Sequence, residues 1–74
     1  MYSREYCHLC KDMLVGLQSL EGASFELDVI DVDSDAALEH RYGERVPLLA
    51  HGEVELCHYH LDAEKVRAYL AEIR

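Results

Sequence analysis

Cys7 and Cys10 form a C-x-x-C pair with His8 and Leu9 between them. A thiolate is the nucleophile of disulfide exchange, and an ordinary thiol, with pKa near ~8.5, is mostly protonated at neutral pH. The pair opens an apolar series, Leu9, Cys10, Met13, Leu14, Leu17 and Leu20, that recurs at helical spacing. Cys7 therefore falls at a helix start, where unpaired backbone N–H groups and the positive helix end favour an anion. Arg4 and, when protonated, His8 are placed to add to that stabilisation. Cys10, one turn along and on the apolar stripe, can attack a mixed disulfide formed at Cys7. This assigns Cys7 as attacking thiol and Cys10 as resolving thiol. Structural zinc sites use the same spacing. Cys57 and His58, at the end of a predicted strand, would complete a Cys/His set for zinc or an iron–sulfur cluster. A Cys on an edge strand is more often simple packing, and simple solvation accounts equally for His8.

The remaining elements must hold that helix start in place. Met1, Tyr2 and Ser3 can form only a stub of strand before it. Gly22 fits the left-handed position that closes a helix, and Gly16 inside the helix costs about 1 kcal/mol relative to alanine. Residues 25–32 alternate and then turn apolar on both faces at Val29 and Ile30, which predicts a strand entering a buried sheet. Asp33, Ser34 and Asp35 are N-cap material for a short helix through Tyr42, ended by Gly43. Capping and solvation also account for Asp28 and Asp31, which lack the spacing of a calcium loop. Residues 48–50 and 54–57 read as two short strands joined by His51, Gly52 and Glu53. Asp62 caps a last helix with the stripe Val66, Tyr69, Leu70 and Ile73, and Leu61 is placed to pack on Val66. Tyr42 and Tyr69 fall on apolar faces and are expected in the core. The order β-α-β-α-β-β-α predicts an α/β domain over residues 1–74 with a four-stranded mixed sheet and helices on both faces.

Composition bounds the partners. The chain has 74 residues, 7 Lys+Arg and 15 Asp+Glu, a formal charge of −8. That balance repels phosphate backbones and anionic lipid, so neither nucleic acid nor a membrane surface is expected. No apolar run approaches the ~20 residues of a membrane span, and no signal-type stretch opens the chain. Three cysteines are too few and too uneven for a secreted disulfide scaffold, which predicts a reducing compartment, the cytoplasm.

The segment from Tyr2 to Cys10, the acidic strand end Asp31-Val32-Asp33, and Tyr42-Gly43-Glu44-Arg45-Val46-Pro47 together resemble the glutaredoxin-like branch of the thioredoxin superfamily. The resemblance spans essentially the whole chain and implies a minimal thioredoxin fold and thiol–disulfide oxidoreductase activity. It implies a cis proline at Pro47 facing the C-x-x-C, with the Val46 backbone available to pair with an extended substrate. It also implies that Arg4 assists the thiolate and meets a glutathione carboxylate. Two departures stand out. Val46 replaces the usual threonine before the proline, and the usual Gly-Gly after the fourth strand is replaced by Cys57, His58, Tyr59 and His60. The second puts glutathione in doubt as reductant. The expectation is therefore a monomer without cofactor that acts on protein or small-molecule disulfides and is reduced by another dithiol. A metal-binding module, or a redox-inactive binding domain on the same fold, is the alternative.

Overall fold

A computed structural model describes residues 1–20 and 25–73. The elements are β1 (Tyr2–Ser3), α1 (His8–Gln18), β2 (Ile30–Asp31), α2 (Ala36–Tyr42), β3 (Leu48–His51), β4 (Val54–His58) and α3 (Ala63–Glu72). Short 3-10 turns at Val32–Ser34 and Gly43–Arg45 flank α2. The four strands form one sheet in the order β2-β1-β3-β4. β1 runs parallel to β2 and antiparallel to β3, and β3 and β4 are antiparallel. This is the mixed sheet and element order anticipated above. The proposed closing residue Gly22 lies outside the described residues.

Alternation along the strands sorts side chains onto two faces. Met1, Leu49 and Leu56 join Cys10, Met13 and Leu17 of α1 and Val66 of α3 in one buried cluster. Tyr2 points the other way and stacks on Tyr42 of α2, with ring centroids 4.1 Å apart. Helices thus cover both faces. Gly16 has a packing reason within α1, because a Cβ there would come 2.7 Å from the Leu61 side chain. Leu61 in turn packs against the cluster that holds Val66, as a residue preceding a helix cap can.

Three expectations need correction. The strand over 25–32 shrinks to Ile30–Asp31, because a ladder can be no longer than its partner and β1 has two residues. The alternation survives in burial, with Phe25 and Leu27 against the core and Glu26 and Asp28 exposed. Val29 and Ile30 are exposed rather than buried, since β2 is an edge strand. Tyr42 and Tyr69 are half-buried, Tyr69 carrying its hydroxyl out to His51 Nδ1 at 2.6 Å. Gly43 ends α2 as expected, with φ −55, and the chain continues into a 3-10 turn.

Candidate active site

Cys7 occupies the N-cap of α1 with extended backbone, φ −95 and ψ 108. Its Sγ accepts the N–H of Cys10 at 3.1 Å, so the sulfur satisfies one of the free donors at the helix end. No acidic residue stands in the first turn of α1 to oppose an anion there. Cys7 and Cys10 are joined as a disulfide, with Cα atoms 5.2 Å apart. That separation lies within the usual range of about 4.4–6.8 Å. Cys10 is buried at 5% exposure, fixed in the core by the α1 stripe, whereas Cys7 is half-buried. Of the two sulfurs, Cys7 is the one a partner can approach.

The other predicted residues are placed unequally. Val46–Pro47 is cis, and Pro47 is among the most deeply buried side chains, directly before β3. Val46 is half-buried against the same cluster as Cys7 and lies outside the paired register of β3. Arg4 turns to two carboxylates, its Nε 3.1 Å from Asp33 and its other nitrogen 3.2 Å from Glu39. The hydrogen bond to Asp33, seconded by Glu39, raises the guanidinium above its ordinary value, so the cation persists. Its charge is nevertheless answered by Asp33 and Glu39 rather than left free for a thiolate. Gly43 lets that arrangement close, since a Cβ there would sit 2.8 Å from Glu39 and 3.0 Å from Arg4. His8 projects into solvent, 3.8 Å from Asp12.

Cys57 and His58 pair with Leu49 and Leu48, so the end of β4 does lie beside the start of β3. Cys57 is a free thiol packed on the core, and His58 Nδ1 lies 2.9 Å from Glu55. Among the described residues no group of three Cys, His, Asp or Glu side chains is close enough to hold a metal ion. The acidic strand end is used for capping and pairing: Asp31 accepts from Asp33 N–H, Asp35 from Ala37 N–H, and Asp33 from Arg4.

Two tyrosines take a backbone conformation that the sequence does not announce. Tyr6, next to Cys7, has φ 59 and is fully exposed, and Tyr59, just after β4, has φ 64. Tyr59 donates its N–H to the Pro47 carbonyl at 2.8 Å and its hydroxyl to the Glu44 carbonyl at 2.7 Å. Residue type offered no signal for either, because left-handed backbone is ordinarily read from Gly, Asn or Asp.

The sequence profile of the Glutaredoxin-like domain (DUF836) matches residues 1–71. A solution NMR structure of a Nitrosomonas europaea protein is 46% identical over 93% of this chain and 85% of its own, with a TM-score of 0.78. An X-ray structure of a protein from X. campestris is 38% identical over 96% of this chain and 92% of its own, with a TM-score of 0.74. No curated protein matches the chain. The fold is thioredoxin-like, and no helix among the described residues is long and apolar enough to cross a membrane. Matched along nearly its whole length, the chain belongs to the glutaredoxin-like domain family.

Proposed function

We propose that this protein is a thiol–disulfide oxidoreductase in which Cys7 attacks and Cys10 resolves. The observation that carries the reading is the joined pair at the start of α1, with one sulfur approachable and the other buried. In the reduced protein the Cys7 thiolate attacks one sulfur of a partner disulfide. The Cys7–partner bond forms, the partner's own S–S bond breaks, and its departing thiolate takes a proton. The Cys10 thiolate then attacks Cys7 Sγ, releasing the partner's second thiol and closing Cys7–Cys10. Two electrons pass from the protein dithiol to the partner, and a separate dithiol reductant restores the pair. Val46 and Pro47 form one edge of the approach to Cys7. A reducing compartment, the cytoplasm, suits an unpaired Cys57.

Exchange with 2-hydroxyethyl disulfide tests the assignment. Cys7→Ser should abolish it, Cys10→Ser should accumulate a mixed disulfide at Cys7, and Cys57→Ser should retain it. A bridge to Cys57 as the main oxidised species, found by peptide mass mapping, would sink the reading.

A further inference from the structure

A groove of about 380 Å³ opens beside the sulfur pair, lined by Cys7 and Cys10 together with Tyr6, Lys11, Leu14 and Val29. Val29 directly precedes β2, whereas Val46 and Pro47 lead into β3, and β1 separates the two strands. The groove is therefore on the opposite flank of the C-x-x-C from the Val46–Pro47 edge. Its apolar residues are unusually open to water, Tyr6 at 102% and Val29 at 50% exposure. None of the aromatic stacks among the described residues includes Tyr6. Its φ of 59 holds a bulky side chain where sterics oppose it. Such backbone outliers gather where a chain meets a ligand.

The occupant follows from the neighbouring sulfur. An extended segment joined through its own cysteine to Cys7 advances only about 3.3–3.6 Å per residue. The residues flanking that cysteine therefore pass over the two sides of the C-x-x-C, one of them at this groove. Resting on the exchange reaction proposed above, we infer that the groove seats an apolar side chain adjacent to the reactive cysteine of a protein substrate, with Tyr6 as its anchor. Charge narrows the class further. Within the groove Glu5 offsets Lys11 and Arg4 is already met by Asp33 and Glu39, which leaves the −8 of the whole molecule to act. The favoured segment is apolar and neutral or basic, not acidic.

The experiment measures second-order exchange rates of the reduced full chain with three disulfides. One is 2-hydroxyethyl disulfide, too small to reach the groove. The others are symmetric peptide disulfides with Phe, or with Asp, on both sides of the cysteine. The Phe peptide should react about tenfold faster than the Asp peptide, the scale on which apolar pockets discriminate. Tyr6→Gly, which also removes the backbone penalty, and Val29→Ser should each lower the ratio of Phe peptide to small disulfide by roughly fivefold. Val54→Ser, an exposed apolar residue removed from the far edge strand, should leave that ratio at its parent value. Equal rates for the two peptides, or a preference that survives both groove variants, would overturn the inference while leaving the exchange function standing. Exchange with none of the three disulfides would overturn both. A concentration-dependent dimer lost in Tyr6→Gly would assign the groove to a second copy and overturn the inference too.

Discussion

Tyr6 and Tyr59 share a left-handed backbone but answer to different neighbours. A non-glycine residue there costs about 1–2 kcal/mol, and glycine returns part of that gain through its freer unfolded chain. Tyr6 spends nothing else, since its ring is fully exposed. Tyr6→Gly should therefore raise stability by about 0.5–1 kcal/mol in urea titrations. Tyr59→Gly should not, because the ring's hydroxyl bond to the Glu44 carbonyl and its edge contact with His58 go with it. A net bond of that kind contributes ~1 kcal/mol, enough to cancel the relief. Tyr59 stands where the family resemblance looks for a Gly-Gly that clamps glutathione, and its hydroxyl is held to the Glu44 carbonyl. Turnover driven by glutathione should be slow beside turnover driven by a dithiol reductant of thioredoxin type. Equal turnover would show a working glutathione site at the end of β4.

At the scale of elements, α1 joins chemistry to packing. Its N-terminus holds Cys7, and its buried stripe, Cys10, Met13 and Leu17, fastens the Cys10 sulfur to the core. Met13 is 1% exposed in a domain whose core supplies only about 3–5 kcal/mol of net stability. Met13→Ala costs ~2–5 kcal/mol and should leave the chain largely unfolded by circular dichroism at 37 °C. The last helix is a milder case. Asp62 accepts the Lys65 N–H at 3.1 Å, and Asp62→Ala should cost about 1 kcal/mol while leaving exchange at Cys7 intact. Loss of exchange in a folded Asp62→Ala protein would tie α3 to the site directly.

At the scale of the whole molecule, Met1 is tied into the sheet. The Met1 amino group donates to the Asp28 carbonyl at 2.7 Å, and Ile30 N–H returns a bond to the Met1 carbonyl at 2.8 Å, extending the short β1–β2 ladder. Burial of the amine lowers its pKa below the ordinary 8.0, against a smaller opposing pull from Asp28. Between the lowered folded value and 8.0 the unfolded chain binds more protons. Stability should therefore rise with pH through the window just below 8.0, and be complete above it. Melting temperatures across that window should climb, and N-terminal acetylation, which keeps an N–H donor but removes the charge, should flatten the climb. An unchanged slope in the acetylated protein would assign it to other groups.

Much of this was legible because it is local. The helical stripe of α1, the caps at Asp35 and Asp62, and the turn between β3 and β4 rest on residues within a few positions of one another, where periodicity and capping act. The C-x-x-C at a helix start is of the same kind, so its placement could be read from residue types and spacing alone. Partners distant along the chain decided the rest. Residues 25–29 alternate as a strand should, yet β2 stops at two residues because β1, its neighbour in the sheet, offers no more. Arg4 stands next to the cysteines in sequence but is held by Asp33 and Glu39, 29 and 35 residues away. Cys57 reaches the start of β3 as the hairpin requires and packs on the core as a free thiol, outside the Cys7–Cys10 disulfide. Tyr6 took a conformation its residue type disfavours. Local rules state what each segment prefers, and only the packed chain determines which carboxylate meets which cation, how long a ladder runs, and which ring is left in water beside Cys7.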